Sequence, residues 1–183
     1  MPKQFSRSLR RLAAPAILSS VLATAPTSAE PEQSCTRDAT RSDITRPFIA
    51  RSDGTVTDEQ TGLQWKRCAE GQSWAAESST CAGPASRQNW PRALALAEAD
   101  RFLGYADWRL PTLDELRGIV EPDCTEPAID LAMFPGTPSY AFWSATPFEY
   151  FDRLAWAVYF DSGKDGYSPR DYGLFHVRLV RDR

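Results

Sequence analysis

The sequence predicts an α+β domain with two helices and short antiparallel sheets, stabilised by disulfides. Three observations predict it. Short strand patterns lie at both ends of the chain with two helical patterns between them. No regular strand–helix–strand alternation appears that would build a doubly wound parallel sheet. Four cysteines follow an export signal, and in an oxidising compartment an even count reads as two bridges. The 183 residues, six Trp, nine Phe and six Tyr supply one core of ordinary size.

Residues 1–29 read as the signal. Lys3, Arg7, Arg10 and Arg11 precede the apolar run Leu12 to Ala23, and Thr27-Ser28-Ala29 form a small-residue cleavage site. The apolar run is shorter than the ~20 residues a lasting membrane anchor needs, so the expectation is an exported protein, periplasmic or secreted to the cell surface, without membrane insertion. Without those four basic charges, 17 Lys and Arg face 24 Asp and Glu, a net charge of −7. Such a chain is repelled by polyanions, which sets nucleic acid aside as a partner. The single histidine, His176, disfavours a Ser-His-Asp hydrolase or a multi-histidine metal centre.

Residues 30–46 are polar and lack an apolar period, so they read as an arm tied down at Cys35, and the domain is expected over 47–183. Strand patterns run from Phe48 to Arg51, Thr55 to Thr57 and Leu63 to Lys66, separated by turn-rich Ser52-Asp53-Gly54 and Asp58 to Gly62. Asn89 can cap a helix from about Trp90 to Phe102, with Pro91 in the first turn and Gly104 ending it. Thr112 and Glu115 form a capping box for a second helix, whose Leu113, Leu116, Ile119 and Val120 share one face before Glu121-Pro122. Strand patterns return at Tyr140 to Ala145, Ala155 to Phe160 and Phe175 to Val180, each with one core face.

Four cysteines allow three connectivities. Cys68 and Cys81 flank a short polar segment, and pairing them would close a local loop worth roughly 3 kcal/mol. That leaves Cys35 with Cys124, which would fasten the arm to the domain. A cysteine-only metal site is the rival, but no C-x-x-C spacing occurs.

An ordered set of landmarks carries a resemblance: Asp53-Gly54-Thr55-Val56-Thr57-Asp58, Thr61-Gly62-Leu63-Gln64-Trp65, Asp107-Trp108-Arg109-Leu110-Pro111-Thr112 and Glu115-Leu116. Ala128-Ile129-Asp130, Phe134-Pro135, Phe142-Trp143-Ser144, Ala155-Trp156 and Val177-Arg178-Leu179-Val180-Arg181 continue it. Over about residues 47 to 182 the chain resembles the Lcl C-terminal domain family, a bacterial domain found at the end of a collagen-like adhesin and in many exported proteins. The resemblance implies a C-type-lectin-like fold, distantly related to that of the formylglycine-generating enzyme. It also implies a surface or secreted adhesive role with glycan binding, and a Cys68–Cys81 bridge. The oxidase chemistry of that distant relative needs cysteines late in the chain. None follows Cys124, so that activity is not carried over.

Most landmark residues read as structural: Trp65, Trp108, Trp143 and Trp156 as core, Arg109 and Arg178 as partners of carboxylates or carbonyls. Glu121-Pro122-Asp123 is similar to a lectin calcium tripeptide, but no Trp-Asn-Asp partner follows and it reads as a helix stop. Asp161 to Asp165 reads as a turn. No metal or cofactor is expected, and nothing marks two of the 24 acids as the carboxylate pair of an unidentified hydrolase.

The candidate ligand surface lies in two late loops. Pro147 to Arg153 carries Phe148, Tyr150, Phe151 and Arg153, and Ser162 to Tyr172 carries Lys164, Tyr167, Arg170 and Tyr172. Rings in such loops can stack on sugars while charged neighbours bond hydroxyls. The expected function is a noncatalytic recognition or adhesion module whose partner is a glycan or a surface protein. The alternative is a structural or assembly protein of the cell envelope, with homo-oligomers compatible with either.

Overall fold

The computed structural model of the protein describes residues 33–36 and 47–183. The expected signal, and the arm apart from 33–36, lie outside these residues. The fold is α+β, with two helices, several short antiparallel sheets and two disulfides. Among the described residues no helix is long and apolar enough to cross a membrane.

Strand β1 (Ser34–Cys35) pairs with β7 (Cys124–Thr125), and the Cys35–Cys124 disulfide joins residues directly opposite in that ladder. The arm is held by more than its cysteine, because the Gln33 amide donates to the Pro127 and Ile129 carbonyls. The first sheet has the order β11-β4-β3-β2, from β2 (Phe48–Ala50), β3 (Thr55–Asp58), β4 (Leu63–Lys66) and β11 (Val180–Asp182). Between Cys68 and Cys81, where only a polar loop was expected, β5 (Ser73–Ala75) and β6 (Thr80–Ala82) form a ribbon closed by the second disulfide.

Helix α1 (Trp90–Ala99) starts as expected, with the Asn89 side chain accepting from the Arg92 N–H. It ends earlier, because Asp100 turns extended and caps the Phe102 N–H with its own carboxylate. A 3-10 turn, Phe102–Gly104, follows and is pinned by the Trp108 indole N–H on the Phe102 carbonyl. Helix α2 (Leu113–Gly118) has the full capping box, with Glu115 N–H donating to Thr112 Oγ1 and Thr112 N–H to Glu115 Oε2. Leu113 and Leu116 are its buried stripe.

The second sheet has the order β10-β9-β8, from β8 (Ala141–Pro147), β9 (Leu154–Tyr159) and β10 (Lys164–Pro169). Two sequence expectations change here. The segment Ser162 to Tyr172 is largely strand rather than loop. Gly163, with φ +72°, turns the chain tightly so that Lys164 to Pro169 pairs with β9. Asp, Gly, Ser and Pro are weak strand formers, but an edge position tolerates them. The sheet also buries both faces rather than one. Phe142, Val158 and Phe160 join a core with Val56, Trp65 and Leu116, while Ala141, Trp143, Ala155 and Ala157 join another with Ala93 and Ala97 of α1.

The predicted strand Phe175 to Val180 pairs as strand only from Val180 onward. All six of these residues are buried, and their backbone bonds go to different neighbours. Phe175 bridges Gln88, His176 bonds Ala141 and Trp143, the Val177 carbonyl accepts from Glu70, and the Leu179 carbonyl from Lys66. The segment therefore joins the two sheets, and no single ladder claims it. Within it Arg178 is fully buried. Its guanidinium donates to the Lys66 and Arg67 carbonyls and to Thr137 Oγ1, lying 4.8 Å over the Phe134 ring. His176 places Nδ1 2.9 Å from the Ser86 carbonyl, and burial pushes its pKa down.

Candidate functional site

The β8–β9 connection and the β10 edge meet in a cluster of rings. After Pro147, the Phe148 N–H donates to the Leu154 carbonyl and the Leu154 N–H to the Phe151 carbonyl, which folds residues 148–153 back over the hairpin end. The Phe148 ring centroid lies 4.3 Å from Tyr167, 5.2 Å from Trp156 and 5.6 Å from Tyr150. Phe151 is parallel to Phe148 with centroids 6.2 Å apart. Tyr167 sits opposite Trp156 in the β9–β10 register. Phe148 and Trp156 are half-buried, and Trp156 packs on the first core, so the cluster is anchored from below. Tyr150 is 76%, Phe151 64% and Tyr167 54% exposed. Three rings thus face solvent together on a rigid base.

Charges rim this platform. Glu149, Asp152 and Arg153 are exposed in its loop. Asp165, two residues from Tyr167 and so on the same strand face, pairs with Arg117 of α2 at 2.9 Å, and Arg117 also holds Asp114 at 3.0 Å.

Of the eight residues expected from sequence, the structure brings Phe148, Tyr150, Phe151 and Tyr167 together and adds Trp156, which sequence reading placed in the core. The other four do not join the rings. Lys164 stands three residues from Tyr167, on the opposite face of the edge strand, across from Tyr159. Arg170 is an anchor: its Nε donates to the Leu154 carbonyl and its guanidinium lies 4.5 Å over the Trp90 ring. Tyr172, 85% exposed, lies beyond the Pro169 end of β10 and has no ring neighbour among the described residues. Arg153 contributes a backbone carbonyl to the Arg170 N–H.

A second locus was not singled out from sequence. A cavity of about 350 Å³ opens beside the end of β4, lined by Asp53, Lys66, Glu70, Gln72, Trp74 and Phe102 among others. Lys66 Nζ donates to Glu70 Oε1 at 2.9 Å and to Asp100 Oδ2 at 2.5 Å, with all three side chains no more than 14% exposed. The ammonium also lies 5.0 Å over Phe102 and 5.6 Å over Trp108. Burial raises the Glu70 pKa above its ordinary value, and Lys66 only partly opposes this. The available signal was Lys66 itself, a cation closing the strand Leu63–Lys66, whose other positions are buried.

The remaining charged landmarks hold the fold. Arg109 forms a two-pronged pair with Glu115 at 2.8 and 2.9 Å and reaches Asp182 at 3.2 Å. Arg181 pairs with Asp107 and stacks 3.7 Å from the Tyr105 ring. Among the described residues, no three His, Cys, Asp or Glu side chains converge as metal ligands. Asp165 is engaged by Arg117, and Asp161 accepts from the Ser162 hydroxyl.

No curated protein matches the sequence. The family model for the Lcl C-terminal domain matches residues 54–181, well over half of the chain. That span runs from the Gly54 turn to Arg181 of β11, taking in both larger sheets apart from the edge strand β2, and the chain therefore belongs to the Lcl C-terminal domain family.

Proposed function

We propose that this chain is an exported, noncatalytic recognition module that binds glycans through the ring platform of Phe148, Tyr150, Phe151 and Tyr167, on a fold related to the C-type lectins. The observation that carries this reading is the concentration of three solvent-facing rings around half-buried Phe148 and Trp156. Pyranose C–H faces stack on such rings, and Glu149, Asp152 and Arg153 stand by to bond hydroxyls. Two disulfides fit an oxidising compartment. Membership of the Lcl C-terminal domain family supports an adhesive role.

The test is a glycan array probed with the full chain, disulfides intact, at low and moderate salt, with calcium and with chelator. Binding that survives chelator and falls with Tyr150→Ala and Tyr167→Ala supports the reading. Binding untouched by both substitutions removes the platform from it.

A second reading, assembly within the cell envelope, is favoured by the position of Tyr167 on an edge strand, where unpaired backbone groups can receive another chain. Light scattering across a concentration series separates the two, since a monomer throughout removes the self-assembling form.

A further inference from the structure

The segment from Ala106 to Leu110 carries an unmatched strand edge. Arg109 bridges Val180 of β11, donating to its carbonyl at 2.9 Å and accepting from its N–H at 3.0 Å. A residue that exchanges both bonds with its opposite leaves the backbone groups of its two neighbours turned the other way. Those neighbours are Trp108 and Leu110. The Leu110 carbonyl accepts from Arg109 Nη1 at 3.4 Å. Among the described residues, no hydrogen bond reaches the Trp108 N–H, the Trp108 carbonyl or the Leu110 N–H. Trp108 is 3% and Leu110 2% exposed, and buried backbone groups are nearly always paired. Three orphans on one strand edge call for a partner that brings a complementary backbone.

A groove of about 420 Å³ opens beside this segment. Helix α1 contributes Leu94, Ala97 and Glu98 to it, and β8 contributes Ala145. Its charged residues differ in what they have left to offer. Asp107 is held by Arg181 at 2.9 Å and Arg109 by Glu115 at 2.8 Å. Glu98, exposed on α1, joins no ion pair among the described residues. The groove thus combines apolar walls, one unspent carboxylate and backbone groups repeating every second residue. An extended peptide offers its own N–H and carbonyl groups at that same repeat. The net negative charge of the chain favours a basic partner as well.

We infer that this groove receives an extended, basic segment of a partner protein, which adds a strand to the Trp108–Leu110 edge. The segment seats apolar side chains against Leu94, Ala97 and Ala145 and sets a Lys or Arg against Glu98. Main-chain bonds to Trp108 and Leu110 supply the affinity, and the side-chain positions supply the choice of sequence. This site shares no residue with the ring platform or with the β10 edge, and it stands or falls apart from both.

The test is amide NMR of the full chain, disulfides intact, titrated with the blocked pentapeptides acetyl-Val-Lys-Val-Lys-Val-amide and acetyl-Lys-Val-Lys-Val-Lys-amide, which place the cations in either register. At least one is expected to shift the Trp108 and Leu110 amides and to slow their exchange with solvent. Methylating the backbone nitrogens of that peptide should weaken binding about tenfold, because the Trp108 carbonyl is left without a donor. Glu98→Gln should weaken it about threefold, the worth of an exposed ion pair, whereas Tyr167→Ala should leave the groove shifts unchanged. The peptide comparison needs no variant, so a folding defect in Glu98→Gln does not blunt the test. Silence at Trp108 and Leu110 with both peptides, equal affinity of the methylated form, or full affinity in a folded Glu98→Gln overturns the inference. Shifts confined to the Asp165 and Tyr167 amides would overturn the groove and favour assembly through β10 instead.

Discussion

Tyr167 stands directly across the β9–β10 ladder from Trp156, with the two rings edge to face at 5.8 Å. One ring is anchored in the core and the other faces solvent, so the pair separates stability from the proposed recognition surface. Trp156→Ala should cost about 3 kcal/mol, because a large half-buried ring is lost from beneath the platform. Tyr167→Ala should cost under about 1 kcal/mol, as expected for an exposed position. Urea denaturation compares them, and equal losses would contradict the arrangement.

Two carboxylates should give opposite responses to pH. Burial raises Glu115, but the Arg109 fork and the Thr112 N–H outweigh it and hold its pKa below the ordinary value. Its contribution is therefore present above the unfolded pKa and is lost as pH falls through the folded one. Glu70 is held above its ordinary value by burial, so the folded state binds its proton more tightly and stability falls as pH rises from the unfolded pKa through the folded one. Glu115→Gln should flatten the acid side of a plot of Tm against pH, and Glu70→Gln should flatten the loss above it. Unchanged slopes would contradict these environments.

The bridges should differ in weight. Cys68 and Cys81 are 13 residues apart and Cys35 and Cys124 are 89 apart. In the chain-entropy model, replacing the short bridge by serines costs about 3 kcal/mol and the long one about 4 to 5 kcal/mol. Chemical denaturation of the two double variants tests the order.

Gly163→Ala should destabilise by more than about 1 kcal/mol, because φ is +72° and a Cβ would stand 2.9 Å from Val120 Cγ1 and 3.2 Å from Ala128 Cβ. The turn it distorts launches β10, so the glycan binding proposed for the ring platform should fall along with Tm. A variant that loses Tm but keeps binding would place Tyr167 outside the binding surface.

Local signals were legible wherever chemistry is local. The Thr112–Glu115 capping box, the Asn89 cap and the strands from Thr55 to Lys66 could each be read from a few residues. Misreadings arose where tertiary partners decide. Lys164 to Pro169 looks like a loop because its strand pairing is supplied by β9. Phe175 to Leu179 alternates like a strand, but its bonds are divided among several neighbours. The rings of the platform were visible as composition, and their convergence depended on the hairpin register. Lys66 and Glu70 are four residues apart, but Asp100 lies 34 residues from Lys66, too far for any local pattern to join it to them.

The buried run from Phe175 to Val180 sets how the protein comes apart. Phe175, Val177 and Leu179 complete one core, Val180 completes the other, and Arg178 between them ties down the Lys66 and Arg67 carbonyls. Neither core is closed without this shared wall. The molecule should therefore open as one cooperative unit, with slowest-exchanging amides on both sheets governed by the same global event. With its wall made of contacts distant in sequence, it belongs among the slower folders for its size.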